Sequence, residues 1–359
     1  MNMARSTVTH YGRVPSALLR AEVTDPEVHV GKNLFGATSD LEVFKHQIPR
    51  FNIVNAIVIP ESTYELRLSD GRTERSCLWR VDEATGNVVY TKELMRGEER
   101  FEEINPRSPL LNSNKHFLEL LKLENKKRAG FMFYFAPVLH PKLDIQWDIE
   151  QFLNDDITVG IKMHGISGHY VPKDVPGWVV RLAKRYDVPF IIHTDFIGDP
   201  LAGAVEGAAK MMLRRQPISE DMANLRRANR PLKWARWVID NGVAAYLAHG
   251  IRLDSDAARI VNHEESIIVG TGPDYSINSE KERLFIKDRD YLTCLFEMLD
   301  PKRIAFSSDF AWNWFDASNM ANLDWGMKRR VIAAGMARGL SDDEIRAVLS
   351  ANSVRFFGL

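Results

Sequence analysis

A chain of 359 residues, 45% hydrophobic and 26% charged, is long enough to bury a large core and has the balance of an ordinary globular protein. Its formal net charge of −1 excludes an electrostatic case for binding nucleic acid or an anionic membrane surface. Two cysteines, Cys77 and Cys294, exclude a disulfide framework and point to a reducing compartment, expected to be the cytoplasm.

The first twenty residues contain no apolar core of signal-peptide length, and no window approaches a membrane span. From there, short β-branched apolar runs recur, most of them ending in polar residues. They are AEVTDPEVHV from Ala21, IVNAIVIPE from Ile53, GFMFYFAPV from Gly130 and ITVGIKMHG from Ile157. VPFIIHTD from Val188, VAAYLAHG from Val243, SIIVGTG from Ser266 and RIAFSSDF from Arg303 complete the series. Runs this short and this apolar read as strands buried on both faces, the signature of a parallel sheet. Helical patterns such as NSNKHFLELLKLENKK, PGWVVRLAKRYD, PLKWARWVIDNG and DYLTCLFEMLDPK lie between many of them. Alternating strands and helices give an α/β fold, and eight strands favour a single (β/α)₈ TIM barrel spanning 1–359 over an open sheet. No Gly-rich fingerprint follows an early strand, which argues against a dinucleotide-binding fold.

Two insertions interrupt the rhythm. Residues 63–94 alternate polar and apolar positions around the turn signals SDG and ATGN, so a β-meander is expected after the second strand. Residues 199–232, after the fifth strand, read as a Met-rich helical insertion, with the methionines serving as packing. Inserts at a barrel rim commonly serve as lids or oligomer contacts, and a homodimer is expected. In the closing segment, Ser341 and Glu344 have the spacing of a capping box.

Polar side chains at the C-terminal ends of barrel strands converge on one mouth. The first strand brings Glu27 and His29 there, the fourth Lys162 and His164, the fifth His193, the sixth His249 and the eighth Asp309. Each has a bland reading on its own: a hydrogen-bonded structural histidine, a helix cap at Asp309, a counter-charge at Lys162. A divalent metal ion explains the set together. Glu27, His29, His193 and Asp309 supply two carboxylates and two imidazoles, leaving His249 and Lys162 to act on a substrate.

The order and spacing resemble the amidohydrolase superfamily, in the branch that contains aminocarboxymuconate-semialdehyde decarboxylase and many metal-dependent hydrolases. The resemblance runs from about residue 22 to the C-terminus and is carried by GIKMHG, PFIIHT, LAHG, DPKRIAFSSDF and the closing helix. It implies that His29 is the second histidine of a strand-one H-x-H motif, His193 the strand-five ligand, His249 the strand-six histidine and Asp309 the strand-eight aspartate. Glu27 departs from that pattern, since a histidine is usual there. Zinc is the expected ion, and the extra carboxylate tilts the site toward harder ions, so manganese or iron are alternatives.

On this resemblance a hydrolase activates a water at the metal. Asp309 is ligand and general base, His249 stabilises the oxyanion, and Lys162 and His164 grip a carboxylate or carbonyl. His169, on the loop after the fourth strand, reads either as a substrate contact or as a solvated loop residue, and the aromatic run from Phe310 to Phe315 either walls a pocket or packs. One ion is favoured. A carboxylated Lys162 bridging two, with His193 and His249 on the second, is implied by other branches. The substrate expected is a small molecule, carboxylated or aromatic, with an amide, lactone or ester bond. The alternative is non-oxidative decarboxylation of an aromatic acid, favoured by Glu-x-His and disfavoured by the Lys-x-His of GIKMHG. A non-catalytic binding barrel is the third reading.

Overall fold

The computed structural model describes residues 14–32, 38–39, 41–60, 110–127, 130–168, 170–194, 220–272, 291–310 and 320–359, with five short strands between 64 and 104. All eight expected strands form: β1 Val23–Lys32, β2 Ile53–Pro60, β3 Met132–Phe135, β4 Ile161–Met163, β5 Phe190–Ile192, β6 Ala245–Leu247, β7 Ile267–Gly270 and β8 Ile304–Ala305. They pair in parallel as β1–β2–β3 and as β4–β5–β6–β7–β8. Two contacts close the ring. The Phe135 amide donates to the Ile157 carbonyl at 2.7 Å and the Val159 amide to the Phe135 carbonyl at 3.0 Å, joining β3 to the approach of β4. On the other side Val28 of β1 bridges Phe310, five residues beyond β8. The result is a (β/α)₈ barrel.

Strand alternation decides what faces the axis. Phe190, Ile192, Ala245, Leu247, Ile267 and Val269 pack outward in the layer shared with the helices. Ile191, Tyr246, Ile268 and Ala305 form the inner cluster with Ile57 and Ile59. Phe357 of the last helix joins that inner cluster, its ring 6.1 Å from Tyr246, and plugs the barrel floor. On β1, Val28 and Val30 belong to the outer layer, which turns Glu27 and His29 inward.

Between β2 and β3, Tyr64–Leu68 pairs antiparallel with both Thr73–Ser76 and Phe101–Ile104, and Trp79–Val81 pairs with Val88–Tyr90. The antiparallel insertion therefore extends to residue 104 rather than ending at 94. The returning strand FEEI follows a charged stretch with no turn signal, so its pairing is set by the third dimension alone. Of the helical insertion, residues 199–219 lie outside the described residues; Glu220–Ala228 is helical, as expected. Ser341 caps the helix Asp342–Arg346 and the capping box with Glu344 is complete. Among the described residues no helix is long and apolar enough to cross a membrane.

Candidate metal centre

Glu27 and Lys162 are fully buried charges at the centre of the barrel, both 0% exposed. Lys162 sits on β4 between the outward Ile161 and Met163, and its Nζ donates to Glu27 Oε1 at 2.9 Å. The other carboxylate oxygen accepts from the Tyr246 hydroxyl at 3.1 Å and from Ser307 Oγ at 3.2 Å. Burial pushes the Glu27 carboxyl up, but the Lys162 ammonium first and the neighbouring His29 imidazole next outweigh it and hold it well below the usual carboxylate range. Burial and the charge of Glu27 push the Tyr246 phenol well above its usual value, so it stays a donor. Gly270 makes room for that phenol: a Cβ there would stand 1.7 Å from the Tyr246 hydroxyl.

His29 lies between the two carboxylates, its Nε2 3.7 Å from Glu27 Oε1 and 3.6 Å from Asp309 Oδ1. His249 Nδ1 approaches the other Asp309 oxygen at 3.8 Å. Glu27, His249 and Asp309 each offer one ligand atom, all within 4.8 Å of one another and all buried. Burial first, then the charge of Lys162, lowers the pKa of His29 and keeps its imidazole neutral, the form that can bind a metal. Carboxylate oxygens and imidazole nitrogens converging in a buried mouth fit a borderline divalent ion.

Two of these side chains are delivered by strained backbone. Asp309 has φ +48°, and His249 opens a left-handed turn in which Gly250, Ile251, Arg252 and Leu253 follow with φ between 50° and 55°. Left-handed residues other than glycine each cost about 1–2 kcal/mol, and such geometry persists only when its surroundings dictate it. Tyr291 does part of this by donating its hydroxyl to the His249 carbonyl at 2.6 Å. A Cβ on Gly250 would meet that hydroxyl at 1.7 Å.

His193 stands one ring further out than the sequence placed it. Its Nδ1 lies 2.9 Å from His249 Nε2, while His164 stacks on its other side with ring centroids 3.9 Å apart and planes 12° from parallel. Burial is the main cause, and neighbouring imidazoles a further one, that holds both rings well below the usual histidine range. The His164 amide donates to the Tyr170 hydroxyl at 2.7 Å, and Asn229 donates to the Tyr170 carbonyl at 2.9 Å, which fixes the turn after β4. His169 lies outside the described residues, as do Ala311–Phe315 of the aromatic run.

The structure thus joins Glu27, His29, His249 and Asp309 directly, sets Lys162 on Glu27 as its counter-charge, and places His193 and His164 as a stacked wall behind His249. Sequence reasoning passed over Asp25, Tyr246, Ser307 and His140. Tyr246 carried a signal, being a phenol at an inward position of an otherwise apolar strand. His140, just past Val138–Leu139, is 1% exposed and its Nε2 meets the Gly168 carbonyl at 2.7 Å.

No family model matches the chain. It is 24% identical over 199 residues to pyridoxal 5'-phosphate synthase subunit PdxS of Bifidobacterium adolescentis, a match covering 47% of this chain and 59% of that protein's length. Among solved structures it is similar to dihydroorotase from Campylobacter jejuni, with TM-score 0.51, 11% identity and coverage of 94% of this chain and 84% of that one. It is also similar to Metarhizium anisopliae IDCase in its apo form, with TM-score 0.50, 10% identity and coverage of 89% and 79%. At these identities the likeness is one of fold, the closed barrel with its mouth at the strand ends.

Proposed function

We propose that the chain is a metal-dependent hydrolase of the amidohydrolase superfamily, acting on an amide, lactone or ester bond of a small carboxylated or aromatic substrate. The observation that carries this reading is the convergence of Glu27, His249 and Asp309 on one buried point at the barrel mouth, with His29 Nε2 3.7 and 3.6 Å from the two carboxylates. A divalent ion held there, zinc in the first instance and manganese or iron otherwise, lowers the pKa of water and polarises a carbonyl when bound. Asp309 then serves as the proton acceptor, its carboxylate facing both imidazoles. His249, its Nδ1 toward Asp309, would be a ligand of the ion, its ring fixed from behind by His193 at Nε2. His164 and His193 offer the stacked face against which a planar substrate rests. Lys162 holds Glu27 ionised and oriented; that contact weighs against a carboxylated Lys162 bridging two ions.

Elemental analysis of protein purified without chelators tests the reading, alongside release of amine, acid or alcohol from a panel of amides, lactones and esters. Metal content below about 0.1 ion per chain would sink it and revive a non-catalytic barrel. A second reading, decarboxylation of an aromatic acid, is favoured by the two carboxylates of the cluster, and CO₂ release from hydroxybenzoates would select it. His193→Ala and His249→Ala separate the two imidazoles: in this reading loss of metal follows the second substitution more strongly than the first.

A further inference from the structure

We infer that Asp25 is a positioning residue that fixes the two carboxylates of the site relative to each other by tying β1 to the end of β8. This rests on the metal reading above for its functional meaning and on the following geometry for its existence. Asp25 is 0% exposed and lies on the helix-facing side of β1, opposite the outward Ala56 and beside Phe44, Phe306 and Ser308, just before the bulge that turns Glu27 inward. Its Oδ1 accepts the Glu27 amide at 3.3 Å, the bond from a side chain to the N–H two residues on that defines an Asx-turn. Pro26 between them has no N–H to offer the sheet. The pairing records the consequence. Asp25 stands opposite Ala56 and Val28 opposite Val58, so β1 spends one residue more than β2 over this stretch. A bulge of this kind re-aims the side chain it carries, here Glu27.

The same carboxylate holds β8. Oδ1 also accepts the Ser308 amide at 3.1 Å, and Oδ2 accepts the Ser308 hydroxyl. The next residue is Asp309, in its left-handed conformation. Ser308 is thus held at two atoms directly before the strained residue, and the Val28–Phe310 bridge holds the chain directly after it. One buried side chain therefore sets both the bulge that aims Glu27 and the bend that aims Asp309. Asp25 acts through the backbone of those two residues, as the outer partners of metal ligands commonly do.

Asp25→Ala, Asp25→Asn and Ser308→Ala in the full chain test this. Affinity for Zn²⁺ and Mn²⁺ is measured by competition with a chromogenic chelator, and amide exchange of metal-free protein by mass spectrometry. Asp25→Ala is expected to weaken Zn²⁺ binding by about tenfold or more, within the range for lost outer partners of ligands. Exchange should quicken in segments 23–30 and 304–310 and stay at the wild-type rate in the helix Pro231–Asn241. Asp25→Asn should rescue to within about threefold of the wild type, because an amide oxygen still accepts both N–H groups. Faster exchange with undiminished affinity would leave Asp25 a purely structural role and overturn the inference, as would wild-type behaviour in both readouts. Should Asp25→Ala fail to fold, Ser308→Ala carries the same two readouts, and no change in either refutes the clamp. A wild type that binds neither ion refutes the metal reading instead, and the exchange result then decides the clamp by itself.

Discussion

Replacing Lys162 by Met removes one member of a pair in which both side chains are 0% exposed and the charged atoms stand 2.9 Å apart. Breaking a buried pair from one side costs about 3–5 kcal/mol, because the remaining charge stays in a poor solvent. Glu27 keeps the Tyr246 and Ser307 hydroxyls, so the expected loss lies at the lower end, about 3 kcal/mol. The double variant Lys162→Met/Glu27→Gln leaves no uncompensated charge and should recover most of that loss, which makes the coupling measurable as a cycle. Urea unfolding of metal-free protein, followed by tryptophan fluorescence, reads all four corners. Zinc added to Lys162→Met should stabilise it more than it stabilises the wild type, since the ion takes over the compensation of Glu27. A Lys162→Met protein within about 0.5 kcal/mol of the wild type would refute the pairing as the reason Lys162 is there.

Asp309→Asn should abolish turnover while leaving the unfolding curve close to that of the wild type; appreciable activity would remove Asp309 from its place as proton acceptor. Glu27→His should keep a metal bound but change which ion supports activity, and an unaltered ion profile would mean that Glu27 does not touch the metal. Gly270→Ala forces a methyl group to within 1.7 Å of the Tyr246 hydroxyl, so the phenol must leave Glu27. A destabilisation of about 1–3 kcal/mol is expected, relieved in part by adding Tyr246→Phe, with both read by thermal unfolding. His140 is neutral in the folded chain, burial holding its pKa down at about 4 against an ordinary value of 6.5. The unfolded chain therefore binds more protons between those values, and stability falls as pH drops from about 6.5 to 4. The group's full contribution is about 3 kcal/mol, and a His140→Gln protein should lack that slope.

The eight strands were legible because each is a short, apolar, β-branched run, and burial on both faces leaves little other choice of structure. The mouth was legible in outline as well: barrel strands all point one way, so polar residues at their ends must gather. Bulges and left-handed turns were less so. Asp25 and Pro26 form the bulge beside Glu27, yet "TDPE" reads equally well as a plain turn until β2 is laid against it. The turn at His249 gives no local sign beyond Gly250, because part of what holds it is Tyr291, 42 residues away.

The sequence by itself determined the parallel barrel, the inward face of β1 and the set of residues able to reach the mouth, since all three follow from a two-residue period and a one-way chain direction. Only the tertiary structure decided which of them touch. Glu27 and Lys162 are 135 residues apart, and Glu27 and Ser307 are 280 apart, and they meet solely because the ring closes between β8 and β1. A period fixes the face a side chain points to but not its neighbour across the barrel. For that reason His249 rather than His193 came to face Asp309, and Lys162 was found on Glu27.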